Sequence, residues 1–223
     1  MKPLLVINYK TYKEGLGEND IKVSKICDEI AKNSKFEIII AVQVSDIYKI
    51  SKKVSIKIIA QHIDSIEPGA NTGYILAEDV KENGAYGTLL NHSERRIDFN
   101  ILKKTIGRAK KVGLKTFVCV KNIKEAVKVA RLKPYGIVYE DPKLIATGIP
   151  ISRTKSKSVK SFVDIIRKKD KNIILLCGAG ISNSLDVASA LGLGTNGVLL
   201  SSAVMKAKDK RKAVYDLSHL NGI

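Results

Sequence analysis

Tryptophan is absent from the 223-residue chain, and aromatic residues of all kinds make up 5% of it. Surfaces that stack the bases of single-stranded nucleic acids are built on aromatics, so the composition argues against such a module. Cysteine is scarce and odd in number. Cys27, Cys119 and Cys177 lie far apart with no CxxC pair, which argues against a disulfide scaffold or a zinc site and for reduced thiols in a cytosolic protein. No apolar run approaches the roughly 18 residues that a membrane span needs. The opening Met1-Lys2-Pro3-Leu4-Leu5-Val6-Ile7-Asn8 has too short an apolar part for a secretory signal. Pro/Gly/Ser linkers and short-period repeats are missing too, so one domain over residues 1–223 is expected.

Acidic residues are also few, with 22 Asp+Glu against 39 Lys+Arg and a formal charge of +17. Such a surplus suits a nucleic-acid binder or an enzyme that handles anions. The lysines are spread along the chain, mostly on polar faces of apparent helices, and form no basic block. Solvated faces and surface ion-pair networks give the same scatter, and a solvated face is the reading taken here. An apolar content of 44% with 27% charged residues excludes a mainly disordered chain.

What is present is an alternation. Short, β-branched apolar runs recur at Leu4 to Asn8, Glu37 to Val42, Ile56 to Gln61, Tyr86 to Asn91, Lys115 to Val120, Gly136 to Tyr139, Ile173 to Cys177 and Gly197 to Leu200. Several are almost unbroken, as strands buried on both faces of a parallel sheet read. Amphipathic stretches lie between them, for example Ile101 to Ala109, and Asn122 before Glu125 reads as a helix N-cap. Eight strands in 223 residues is roughly 28 residues per strand-helix unit, which suits a compact (β/α)8 barrel, an α/β fold. A doubly wound open sheet would show a glycine-rich loop after the first strand, which Asn8-Tyr9-Lys10-Thr11-Tyr12 is not. One connection is long, running from Glu140 past Pro142 and Gly148 to a helix that begins near Ser156. Loops of that length are often functional lids.

Barrel enzymes place their chemistry at the C-terminal ends of the strands. Those ends carry Asn8 and Lys10, then Gln61-His62-Ile63-Asp64, His92-Ser93-Glu94-Arg95-Arg96, Glu140, Cys177-Gly178-Ala179-Gly180 and Ser201-Ser202. His62 and His92 are equal candidates on this basis. The run Gly178 to Ser182 is either a tight turn into a helix or an anion site of backbone N–H groups at a helix N-terminus. Two small-residue turns after the seventh and eighth strands are where barrels often bind phosphate.

Taken together, Asn8-Tyr9-Lys10, His92-Ser93-Glu94-Arg95-Arg96, Glu140 with Thr147-Gly148, and Cys177-Gly178-Ala179-Gly180-Ile181 resemble triosephosphate isomerase. The segment Ala60 to Gly73 and the short length resemble the archaeal branch of that family. The resemblance implies a barrel that interconverts dihydroxyacetone phosphate and glyceraldehyde 3-phosphate in glycolysis and gluconeogenesis, with no metal or organic cofactor. It implies that Lys10 binds the anionic substrate and Asn8 its reacting oxygens. His92 would be the electrophile, Glu140 the base, and Glu94 a carboxylate near Lys10. Ile145 and Gly148 would belong to a lid over the phosphate, while Gly180, Ser201 and Ser202 would present N–H groups to it. Thr72 would reach into a partner subunit, so a homo-oligomer follows, a tetramer in preference to a dimer, with no membrane and no specific nucleic-acid partner. The family commonly has glycine where this chain has Ala146 and Ala203. If Ala203 had to be left-handed, the cost would be about 1–2 kcal/mol. The rival readings are a polyanion-binding barrel and another phosphate-binding barrel enzyme. The second need not bring Lys10, His92 and Glu140 together.

Overall fold

The computed structural model describes residues 1–141 and 156–220. Its eight strands are β1 (Leu4–Asn8), β2 (Glu37–Val42), β3 (Lys57–Ala60), β4 (Gly87–Leu90), β5 (Lys115–Val120), β6 (Gly136–Tyr139), β7 (Ile174–Cys177) and β8 (Gly197–Leu200). All pair in parallel with their chain neighbours, and β8 returns to β1 with Leu4 opposite Gly197 and Ile7 opposite Leu200. A closed sheet has no edge strand left to pair with another molecule. Five strands keep the limits read from the sequence, while β3, β4 and β7 are shorter by a residue at one or both ends. β4 stops because Asn91 turns into the left-handed region at φ 57.

Helices fill the connections: α1 (Glu18–Ala31), α2 (Ile47–Ser51), α3 (Ala77–Glu82), α4 (Phe99–Lys111), α5 (Ile123–Ala130), α6 (Ser156–Lys169), α7 (Ser184–Gly192), α8 (Ser202–Met205) and α9 (Lys210–Ser218). None of them is long and apolar enough to cross a membrane. α4 begins two residues before the periodic run because the Asp98 carboxylate accepts from the N–H groups of Asn100 and Ile101. Asn122 caps α5 through the N–H of Glu125 at 2.9 Å, a contact worth about 1 kcal/mol.

Strand side chains divide between two cores. Leu4, Val6, Ile39, Ile59, Phe117 and Leu176 point with their kind into the barrel, whereas Leu5, Ile7, Ile38 and Ile40 pack outward beneath the helices. The period of two along each strand produces this division, and each side chain so buried contributes about 1.5–3 kcal/mol. At the end where the strands begin, Phe117, Tyr86 and Tyr135 stop the barrel with edge-on ring contacts at 5.3 and 6.0 Å. The ammonium groups of Lys57 and Lys115 lie over those tyrosine rings. The opposite end is left for polar groups.

Candidate active site

The first strand delivers Asn8, which is buried, and then a strained residue. Lys10 sits at φ 51, a left-handed conformation that side chains other than glycine seldom adopt. Such a residue persists only where its surroundings hold it, and here three loops do so. The Lys10 N–H donates to Asn8 Oδ1 at 2.9 Å, and Gln61 Nε2 donates to the Lys10 carbonyl at 2.9 Å and to Asn8 Oδ1 at 3.3 Å. Ser201 Oγ donates to the Asn8 carbonyl at 2.6 Å. The backbone so fixed sends the Lys10 ammonium to Glu94 Oε1 at 2.6 Å.

After β4, Asn91 locks the next turn. Its Nδ2 donates to the Cys119 carbonyl and to Glu125, and its Oδ1 accepts from the Ile97 N–H. His92 therefore projects with both ring nitrogens engaged. Nδ1 accepts from the Glu94 N–H at 3.3 Å, and Nε2 stands 3.0 Å from Glu140 Oε1. Glu140 is 1% exposed. A carboxylate so buried needs compensation. The Ser93 N–H donates to its Oε2 at 3.0 Å, and the Arg96 guanidinium lies 3.7 Å from the same oxygen. Arg96 is itself pinned by donating to the carbonyls of Asn91 and Cys119.

The seventh strand leads to Gly178, where an added Cβ would stand 2.5 Å from Val138 and 3.0 Å from the Glu140 side chain. Glycine at that position gives the carboxylate room. Gly180 is left-handed at φ 70. The turn does not run straight into a helix as one reading of the sequence had it. α7 starts at Ser184, and its first turn is satisfied by its own chain, with Asn183 capping Asp186 N–H and Asp186 accepting from Ser182 N–H. After β8, Ser201 precedes α8, whose first N–H groups, from Ser202 and Ala203, have no acceptor within the helix. Ala203 lies inside α8 and is not among the left-handed residues, so it carries no penalty of that kind.

Asn8, Lys10, His92, Glu140, Gly180, Ser201 and Ser202 all line one cavity of about 110 Å³. A second hollow of about 310 Å³ adjoins it through Asn8, Lys10 and His92 and continues past Glu94 to Gln61, His62 and Arg95. The structure thus separates the two histidines. His62 faces the second hollow with Nε2 3.2 Å from Asp64, and burial holds its pKa below the usual histidine range. Thr72 lines neither hollow and lies exposed on the loop after β3. Ile145, Ala146 and Gly148 lie outside the described residues. Sequence reasoning assigned no role to Gln61, to Arg96 or to the Ser93 N–H. Gln61 carried the same signal as Asn8, a polar side chain at the end of an apolar strand. Among the described residues, no three His, Cys, Asp or Glu side chains group so as to hold a metal ion.

The family model described as triosephosphate isomerase matches residues 3–217. A triosephosphate isomerase of Methanocaldococcus jannaschii is 44% identical over 214 residues, covering 96% of this chain and 98% of that one. One from Sulfolobus acidocaldarius is 42% identical over 214 residues, covering 96% and 93%. The crystal structure of triosephosphate isomerase from Bartonella henselae superposes with a TM-score of 0.74 at 22% identity, over 97% of this chain and 99% of that one, a likeness of fold. On a closed eight-stranded barrel whose strand ends gather these side chains, the chain belongs to the triosephosphate isomerase family.

Proposed function

We propose that the protein interconverts dihydroxyacetone phosphate and D-glyceraldehyde 3-phosphate, the step shared by glycolysis and gluconeogenesis. The contact between His92 Nε2 and Glu140 Oε1 at 3.0 Å, beside Lys10 in one cavity, carries the reading. It sets a base and a donor where a carbonyl and its neighbouring carbon would lie together.

The Glu140 carboxylate takes a proton from C1 of the ketone, and the C–H electron pair forms the C1–C2 double bond. The C2 carbonyl electrons move onto oxygen, which becomes an enediolate. His92 Nε2–H and the Lys10 ammonium face that charge, and Asn8 orients the two oxygens. After a proton passes from O1 to O2, the Glu140 acid returns its proton to C2 and the aldehyde forms. Every step moves protons within one substrate, so the reaction itself calls for no outside electron carrier. Positioned acid-base groups contribute about 10²–10⁴-fold, and an oxyanion donor about 10²–10³. Gly180, Ser201 and Ser202 would hold the phosphate through backbone N–H groups, with support from the open first turn of α8.

The same reading makes the molecule a homo-oligomer, a tetramer in preference to a dimer. Leu16, Tyr48 and Tyr74 are exposed on the first three connections, which also contribute Thr11, Val44 and Ile75 to the larger hollow. The Thr72 loop is an exposed projection tied at its base by Asp64 and Ile75. A second copy's loop seated in that hollow would bury these groups. Three buried free thiols suit a cytoplasmic location, and residues 1–223 would act as one domain.

A coupled assay of glyceraldehyde 3-phosphate conversion, with a phosphoglycolate-type inhibitor as control, tests the function. Folded protein without conversion would leave the barrel and overturn the activity. Light scattering on the purified protein measures the assembly, and a monomer would overturn the oligomer.

A further inference from the structure

Residues 99–139 hold eleven Lys and Arg against a single acid, Glu125, a surplus of ten out of the chain's +17. Two of these cations are spent: Arg108 pairs with Glu67 and Glu78, and Lys111 lies 3.6 Å from Glu67. Among the described residues, no other Lys or Arg side chain that α4, β5, α5 and their turns contribute to solvent comes within 4.0 Å of a carboxylate, apart from Arg96 in the catalytic cluster and Arg95, 4.0 Å from Asp64. Counted along the chain the charge looks scattered, but in the fold it gathers on α4, β5, α5 and the turns that join them.

It gathers most at the end where the strands begin, opposite the catalytic cavity. There α4 ends, β5 starts and the turn from α5 enters β6, around a recess of about 220 Å³ lined by Lys110, Lys115, Lys133, Thr116 and Tyr135 and by no acid. Two of its ammonium groups are positioned by the chain. Lys110 Nζ donates to the Leu132 carbonyl at 2.7 Å, and Lys115 Nζ lies 5.4 Å above the Tyr135 ring. Lys133 is held left-handed at φ 49. The acid at this end of the neighbouring strands, Glu37, is already paired with Lys57 at 2.5 Å.

The occupant follows from what surrounds the charge. A helix that lies on a membrane surface needs apolar side chains beside its basic ones, yet no large apolar residue between 102 and 139 is exposed, and Phe99 and Ile101 sit at the other end of α4. Tyr135, the aromatic of the recess, is half-buried with the Lys115 ammonium over its ring, and offers no open platform for bases. What remains is a chain of phosphates. The recess requires a strand that can bend a phosphate inward, which a duplex, stiff over about 150 base pairs, resists. We propose that this end of the barrel docks the phosphodiester backbone of a single-stranded nucleic acid through Lys110, Lys115 and Lys133, flanked by Arg131, without reading bases.

Anisotropy with a labelled oligouridylate of about 20 nucleotides, longer than the roughly 4–16 nucleotides one domain covers, tests this on the intact protein. Four contacts give a slope of log affinity on log salt of about −3, at about 0.7 per phosphate. Lys110→Gln, Lys115→Gln and Lys133→Gln together should reduce the slope by about 2 at that same increment and weaken binding by about tenfold or more at low salt. Lys22→Gln and Lys25→Gln on α1, with Lys32→Gln at its C-cap, make the same charge change elsewhere and should alter binding by less than about threefold if local contacts rather than the overall field decide. Isomerase kcat/KM should be unchanged in both triples, reporting that each is folded. Affinity weaker than about 10⁻⁴ M at low salt, equal losses in the two triples, or retention on phosphatidylglycerol vesicles without oligonucleotide binding would each overturn the proposal.

Discussion

His92 Nε2 lies 3.0 Å from Oε1 of Glu140, and the other carboxylate oxygen is held by the Ser93 N–H and Arg96. On the proposed reading, the base is parked against the electrophile with both oxygens engaged, and substrate enters between them. Glu140→Asp withdraws the carboxylate by one methylene and should lower kcat by about 10², the cost of a displacement near 1 Å. Glu140→Gln keeps acceptors for Ser93 and Arg96 but cannot take a proton, and should lose about 10²–10⁴. Steady-state kinetics beside a thermal melt check both. A melt unchanged within a few degrees, together with lost turnover, is the expected pair of results.

Lys10 inverts an ordinary rule. At φ 51, alanine keeps the left-handed penalty and glycine does not, so Lys10→Gly should be more stable than Lys10→Ala by about 1–2 kcal/mol. In a protein of this size each kcal/mol moves Tm by about 2–4 °C. Both variants should lose substrate affinity because both lack the ammonium. A calorimetric ranking with alanine above glycine would show that the backbone strain at Lys10 is not what the three-loop clamp opposes.

His62 gives a pH dependence. Burial, and then the nearby Arg95, depress its pKa in the folded state, so between that value and the unfolded one near 6.5 the unfolded chain binds more protons. Stability is therefore complete above about pH 6.5 and is lost as pH falls through this window. Denaturant midpoints measured from pH 7.5 down to 5 should fall, and His62→Gln should flatten the fall.

The thiols should be silent. Burial pushes Cys27 and Cys177 up to about 12 and raises Cys119 well above its ordinary value, and all three are buried. The thiolate is the reactive form. A disulfide reagent at pH 8 should modify none of the three in the native protein, and all three once denaturant is added.

The barrel was legible because strands buried on both faces leave long apolar runs, and Leu4 to Asn8 or Glu37 to Val42 admit few other readings. Their exact ends were less so, since Asn91 leaves the ladder through a backbone angle that no composition encodes. Polar residues at strand ends marked Lys10, His92 and Glu140 in the same way. The choice between His92 and His62 was hidden because it depends on which one meets the β6 carboxylate across the barrel. Gln61 and Arg96 escaped for the same reason: both act by holding loops that are distant in the chain. Nothing in the sequence marked that the Ser182 N–H, two residues after Gly180, is taken by the Asp186 carboxylate four residues on.

Pairing of β8 with β1 has a consequence for how the enzyme comes into being. The Asn8 turn is secured by Ser201, 193 residues later, and Gly197 lies so close to Leu4 that any side chain there would collide with backbone. During synthesis, then, the amino-terminal strand must wait unpaired on one side until nearly the whole polypeptide has emerged. Catalytic competence should arrive in a single late event, so truncated nascent chains ending before Gly197 ought to be inert however much helix they have acquired.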